Sequence, residues 1–530
     1  MQNAFQWPEE VRFWRRFSKE SSLAFLSALA WGFFTHLYSM TNLLLNLDAV
    51  GNTFSWNRHI PSGRWALGTF SALSSIEQMP IVISCIAILM LALTAVITVR
   101  ALQISSPVCI VLTSALVVSF PSVAGTFTFL YTSDAYFIGL FFAALAVYLV
   151  KDSQSKWGGV ETVAVLLIAV SLGIYQTYIC YATGLFLMLC LLDLWDGCPL
   201  KEIFQRGGKY LLISGLGLAL YLIVEYIALA VSGSELLPYQ GMDSIGRLDF
   251  MERLSAIPRA YQIFDFFLAP IRLLRAKGFE NNGRFLCSAL ITCAVAALAL
   301  GAGLFLLIRR KIYRDVFRLA AILIGHLLIP LALNCIVILA HASHQHLLME
   351  YSFALLPIWI LKTCELSVQD MILSRKPFWK LSYYVLCAAF LCVCWKYFII
   401  SNVQYHHMQL NYENSFAIGN RIIARIEAAQ EYPGQEVAFI GQPSGEQYGN
   451  RDRYVNYRRH IELFPLMTYK WENFFTFYIG THVKSVNDER LEELQTNPDV
   501  LAMPVFPARN SVAAVDGVIV VKMQEIPPSS

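Results

Sequence analysis

With 530 residues, 56% of them hydrophobic and only 15% charged, and a mean hydropathy of +0.52, the chain is far too apolar to be a water-soluble protein of its size. Its formal charge of +3 leaves no basic surplus, so no nucleic-acid partner is expected. All 12 cysteines precede Ile400, mostly inside apolar runs, and their spacing is neither a disulfide nor a zinc framework.

A membrane-crossing helix needs about 20 mainly apolar residues. Ser21 to Leu45, Pro80 to Val99, Ser105 to Phe120, Ala135 to Val150, Thr162 to Leu192, Tyr210 to Val231, Phe285 to Ile308, Leu319 to Ala340, Leu347 to Leu361 and Leu381 to Ile400 meet or approach that length. Lys151 and Lys156 precede the Thr162 to Leu192 run, and Lys201, Arg206 and Lys209 follow it. Keeping both basic loops in the cytoplasm requires an even number of crossings, so the run is read as two spans joined by a tight turn at Tyr175-Gln176-Thr177-Tyr178, with a single tilted helix as the alternative because the half-spans are short. The total is then about 11 spans.

Arg12, Arg15, Arg16 and Lys19, the group Arg309 to Arg318, and Arg375, Lys376 and Lys380 fall in the other inner loops. The N-terminus therefore reads as cytoplasmic and the C-terminus as exoplasmic, in a multi-pass protein of the plasma membrane. The first apolar run is too long for a cleaved signal peptide and is expected to stay as an anchor. Two exoplasmic loops are long, Asn46 to Gln78 and Ser232 to Arg284. The second is rich in cations, against the positive-inside rule; its Phe, Leu, Tyr and Arg fit helices lying in the bilayer interface with cations toward headgroup phosphates, and cytoplasmic placement, which would reverse the surrounding topology, is the alternative.

After Ile400 no uncharged run of span length remains, and Gly, Pro, Asn, Arg and Glu become frequent. Residues 1–400 read as the transmembrane domain and 401–530 as a small exoplasmic α/β domain. Within the latter, Ile418, Ile422, Ile423 and Ile426 have helical spacing, and Val437-Ala438-Phe439-Ile440 and Val518-Ile519-Val520-Val521 read as strands.

The first long loop carries the chemistry. Asp48 follows the first span closely, where a carboxylate needs nearby water or a polar cavity. Activating a sugar hydroxyl against a phosphate-linked anomeric carbon takes a carboxylate near the acceptor and cations near the leaving phosphate. Arg58, His59 and Arg64 are placed to supply the cations; a helix cap and lipid-headgroup contacts are the structural alternative for this loop. Asp134 is the next acid at an exoplasmic edge, read either as the cap of the following helix or as a second site acid that orients the acceptor or binds a metal. Tyr175, Gln176 and Tyr178 offer sugar contacts or interfacial anchors. The cluster His341, His344 and His346, with Glu350, is compatible with a divalent metal or with a plain polar turn, so no cofactor is assigned. Glu225 lies in an apolar run, facing the bundle interior or a cavity.

Gly63-Arg64-Trp65, Ser171-Leu172-Gly173-Ile174-Tyr175-Gln176, and Met503-Pro504-Val505-Phe506-Pro507 followed by Asp516-Gly517-Val518-Ile519-Val520-Val521-Lys522 occur in this order, and in it the chain resembles the bacterial GtrII-like glucosyltransferases. The resemblance implies a mainly α, GT-C type glycosyltransferase that takes glucose or another sugar from a polyprenyl-phosphate donor and adds it, with inversion, to a surface glycan. It places the catalytic acid on Asp48, with Asp134 as fallback, and donor or acceptor contacts on Arg64 and its neighbour Trp65. Many relatives carry two neighbouring acids in that loop, whereas this chain has Asn46 and Asp48. A transporter or flippase of lipid-linked sugars is the alternative, but it would place polar groups near the midplane and often show internal repeats. A non-enzymatic scaffold with an exoplasmic binding domain is a third reading.

Overall fold

The computed structural model describes residues 18–52, 59–75, 77–153, 157–238, 241, 250–277, 283–340, 346–375, 377–429, 432, 434–442 and 471–526. A chain this apolar has one economical way to satisfy its backbone inside lipid, which is to form helices. Among the described residues, ten helices are long and apolar enough to cross a membrane. The fold is the expected one, a mainly helical polytopic bundle with a small C-terminal sheet.

The Thr162 to Leu192 run divides as its flanking charge requires. A helix over Gly159–Ile174 ends at extended Tyr175, a 3-10 turn spans Gln176–Tyr178, and a second helix runs over Ile179–Asp196. The outer ends of this pair meet the same basic segments: Lys209 Nζ bonds Glu161 at 2.6 Å, and Arg206 bonds Asp193 at 2.8 Å. Arg310 then bridges Asp196 and Asp370, and Lys362 and Glu365 bind Gln103 and Ser105–Ser106. Through these contacts the basic loops gather at one end of the bundle.

Several boundaries differ from the sequence reading. The helix expected from Ala135 starts at Leu130, so Asp134 lies in its second turn and does not cap it. The helix carrying Glu225 spans Leu200–Ser232, about 50 Å of rise. Glu225 therefore stands about 24 Å above Lys209, near the far edge of a hydrocarbon core about 30 Å thick. The second long loop contains two amphipathic helices, Phe250–Ala260 and Ile263–Lys277, which keep Phe250, Met251, Leu254, Phe264 and Leu268 exposed.

The last span does not stop where the composition changes. Trp379–Glu427 is one 49-residue helix running through Ile400, about 73 Å long. Its later turns carry Ile418, Ile422, Ile423 and Ile426, whose helical spacing forms the face buried under the C-terminal sheet. The sheet has the order β1-β3-β2, with β1 Val437–Ile440, β2 Val512–Val515 and β3 Val518–Lys522. β1 and β3 are parallel, with Val437 opposite Ile519. β2 and β3 form a hairpin whose turn residues, Asp516 and Gly517, both have positive φ, the geometry that matches strand twist.

This domain explains the third sequence stretch. Lys522, 1% exposed, donates to the carbonyls of Leu501 and Met503, and Arg425 lies over the Phe506 ring while donating to the carbonyls of Pro507 and Ala508. Those residues hold the domain together and tie it to the long helix.

Candidate active site

The end of the bundle opposite the basic loops is built on the first long loop. Past Thr41 the chain leaves its helix, and the Asn46 side chain accepts from the Ala49 amide at 2.7 Å, capping a short helix over Leu47–Asn52. Asn46 thus has a structural task. Asp48 sits in the first turn of this helix with its side chain open to solvent, while Ala49 and Val50 are buried beneath it. The surrounding protein pushes the Asp48 carboxyl above its ordinary value by desolvation, and the charges of Arg64 and His346 pull against that rise.

Arg64 is delivered by a tightly pinned loop. Ile60–Ser62 forms a 3-10 turn closed by left-handed Gly63, whose φ is 75°. Gln176 Nε2 donates to the Ser62 carbonyl at 3.0 Å, Tyr221 Oη to the Gly63 carbonyl at 3.0 Å, and the Ala66 amide to the Gly173 carbonyl at 2.9 Å. Gln176 also donates to Tyr221, and Leu237 N bonds the Pro61 carbonyl. Trp65 lies so close over Gly173 that a Cβ there would meet its ring at 2.4 Å. A Cβ on Gly63 would lie 2.8 Å from a Glu225 carboxylate oxygen. The first two sequence stretches are therefore one structure: Gly63-Arg64-Trp65 is seated on the turn after Ser171.

With the loop fixed, the Arg64 guanidinium bonds Tyr136 Oη at 3.3 Å and lies over the Tyr175 ring, 5.1 Å from its centroid. Tyr136 and Tyr175 meet edge to face at 5.0 Å, and Tyr178 continues the wall. His59 stacks on Tyr131, 6.2 Å between centroids, and Tyr131 feels the charges of both Asp48 and Arg64. A solvent-open carboxylate, a cation braced on aromatic rings and a buried polar support thus share one end of the molecule. The rings are buried and brace the cation, and such a cation suits a phosphate.

The structure gathers Asp48, His59, Arg64, Trp65, Tyr175 and Gln176, and adds Tyr131, Tyr136, Tyr221 and Glu225. Asp134 lies on the helix that carries Tyr131 and Tyr136. It is fully buried, its carboxylate accepts from the Ala135 amide at 2.8 Å, and it faces the Ser74 hydroxyl. Arg58, His341 and His344 lie outside the described residues, whereas His346 is described and comes within electrostatic reach of Asp48. Among the described residues no group of three or more His, Cys, Asp or Glu side chains gathers as a metal site. Tyr136 and Tyr221 were missed because a tyrosine in a span carries no local mark of function. Glu225 carried such a mark, an acid in an apolar run.

Comparison with known families gives a match to the family described as Glucosyl transferase GtrII over residues 37–358. Neither a curated protein nor a solved structure matches the chain.

Proposed function

This chain belongs to the GtrII glucosyl transferase family, and we propose that it transfers glucose from a polyprenyl-phosphate donor to a cell-surface glycan at the exoplasmic face of the plasma membrane, with inversion. Family membership makes it a glucosyltransferase, and its apolar helices make it a multi-pass membrane protein. The donor, the acceptor and the roles of individual residues are our reading.

In this reading the acceptor hydroxyl approaches Asp48 from solvent and gives up its proton to the carboxylate. Its oxygen attacks the anomeric carbon from the face opposite the phosphate, the bond from that carbon to the phosphate oxygen breaks, and the phosphate leaves with the electron pair. Arg64, braced by Tyr136 and Tyr175, takes the developing negative charge, with His59 in the same loop. Trp65 is left for the sugar, Tyr175 braces Arg64 and Gln176 holds its loop from buried positions, and Asp134 holds the helix that presents Tyr131 and Tyr136. A phosphate is a good leaving group, so no strong general acid is needed.

The observation that carries this reading is the solvent-open Asp48 on the same end as the aromatic-braced Arg64, with each charge acting on the other. A flippase would place its polar groups near the midplane, whereas these groups lie at one end. The test uses purified full-length protein with polyprenyl-phosphate glucose and an acceptor glycan. Asp48→Asn is expected to lose about 10²- to 10⁴-fold in turnover while keeping donor binding. Near-normal turnover would remove Asp48 as the base.

A further inference from the structure

The family match ends at residue 358, so it leaves the Trp379–Glu427 helix and the C-terminal sheet without a role. Their contacts supply one. Asn473, in the short helix Trp471–Phe474, donates from Nδ2 to the Val50 carbonyl at 3.2 Å. Gln78 Nε2 reaches both the Ala49 carbonyl at 3.5 Å and Tyr478 Oη at 3.2 Å. Beneath these bonds Leu45, Ala49 and Val50 share one apolar cluster with Trp471, Phe474 and Phe475, and Ile418, Ile422 and Ile426 of the long helix complete it.

A six-residue helix cannot hold its own shape in water. The Leu47–Asn52 helix has a cap at its start in Asn46, and on its far side the C-terminal domain holds the Val50 carbonyl directly through Asn473, the Ala49 carbonyl through Gln78 braced by Tyr478, and the buried face. The two residues gripped, Ala49 and Val50, directly follow Asp48. We infer that the C-terminal domain positions the Asp48 carboxylate, and that Asn473 is a positioning residue for the transfer reaction, acting through the Val50 carbonyl.

This inference rests on Asp48 being the base, and the experiment separates the two. In full-length protein, Asn473→Leu removes the donor at similar volume, and Tyr478→Phe removes only a hydroxyl. Displacing a catalytic group by about 1 Å costs about 10²-fold, so Asn473→Leu is expected to lower kcat by about that factor, with donor KM within about threefold of wild type. Tyr478→Phe is expected to lose less, in the same pattern, and it keeps the test open if Asn473→Leu does not fold. In an Asp48→Asn background, Asn473→Leu is expected to cause no further loss, because there is no base left to misplace.

Unchanged kcat in both variants, or a full further loss in the Asp48→Asn background, would overturn the inference. Contact is read without activity by pairing Gly51→Cys, the half-buried neighbour of Val50, with Asn473→Cys and treating membranes with a short thiol cross-linker. Efficient cross-linking supports the clamp, and its absence overturns the clamp whatever the chemistry of Asp48. Near-normal turnover by Asp48→Asn alone would instead sink the base assignment.

Discussion

Gly63→Ala probes how the site is assembled, because the two ways in which a methyl group can cost energy at this position are separable. Gly63 has φ of 75°, a left-handed backbone that costs an L residue about 1–2 kcal/mol. Its Cβ would also lie 2.5 Å from Gln176 Nε2 and 2.8 Å from both Glu225 Oε1 and Tyr221 Oη. Restoring ordinary contact moves those groups by about 1 Å, which breaks the Gln176 and Tyr221 bonds to Ser62 and Gly63, each worth about 1 kcal/mol. The expected total is about 3–4 kcal/mol of stability, together with a loss of about 10²-fold in turnover as Arg64 shifts with its loop. Gly233→Ala is the control: its φ is 63°, and nothing lies within 4 Å of the position a Cβ would take, so it meets the backbone strain alone. Thermal unfolding in detergent and glucosyl transfer, measured on both variants, separate the terms. If Gly63→Ala keeps turnover within about threefold of wild type, or loses no more stability than Gly233→Ala, then the Gln176–Tyr221–Glu225 seat does not set the position of Arg64.

Partial desolvation by the surrounding protein raises the exposed Asp48 carboxyl and Arg64 holds it down, and only its ionised form accepts a proton, so Arg64→Gln is expected to move the acidic limb of the kcat/KM profile to higher pH. A limb that stays in place or moves to lower pH refutes this electrostatic link. Arg64→Lys is expected to impair donor binding despite keeping the charge, because an ammonium lacks the planar fork that meets both Tyr175 and Tyr136; wild-type donor binding would remove Arg64 from the phosphate site. At the basic end, Lys362→Met strands the buried Glu365 carboxylate and is expected to cost about 3–5 kcal/mol, with partial recovery in Lys362→Met/Glu365→Gln; an unchanged melting temperature refutes it. With the exposed thiols Cys85, Cys287, Cys293 and Cys392 replaced by Ser, an impermeant thiol reagent is expected to label Glu77→Cys and Glu489→Cys from the exoplasmic side and Arg314→Cys only from the cytoplasmic side. Cytoplasmic labelling of Glu489→Cys would reverse the orientation.

The spans were legible because lipid enforces a length and a composition that any window along the chain displays. Even the break at Tyr175 could be read from sequence, since the lysines and arginines on either side fix the parity of crossings. Tertiary partners leave no such trace. The Gly63-Arg64-Trp65 and Ser171 to Gln176 stretches each stood out alone, but nothing local says that Trp65 lies on Gly173 or that Gln176 holds the Ser62 carbonyl. Asp134 looked like a loop acid because the apolar run after it starts at Ala135. Leu130-Tyr131-Thr132-Ser133 continue the helix backwards on polar and aromatic residues that a hydropathy window discounts. The composition change at Ile400 was real, but it marked the point where one helix changes its surroundings without changing its backbone.

Where Arg64 hangs along the bundle bears on what can reach it. A lipid-linked sugar keeps its phosphate at headgroup depth, because burying that charge among acyl chains is prohibitive, so a cation that receives it has to stand near the edge of the hydrocarbon core. The Arg64 loop is seated against Tyr221 and Glu225, and Glu225 lies about 24 Å along its helix from Lys209, where the basic loops gather; the core is about 30 Å thick. The Asp48 helix is held on its outer side by a domain carried on a helix that continues well beyond any bilayer. In the proposed reaction, a donor confined to the membrane and an acceptor confined to water would meet where these two supports adjoin, between Arg64 on the span side and Asp48 on the side of the C-terminal domain. On the proposed roles, the cation is fixed by membrane helices and the base by the water-facing domain, so the contact between Asn473 and Val50 is expected to matter for turnover as much as the seat of Gly63.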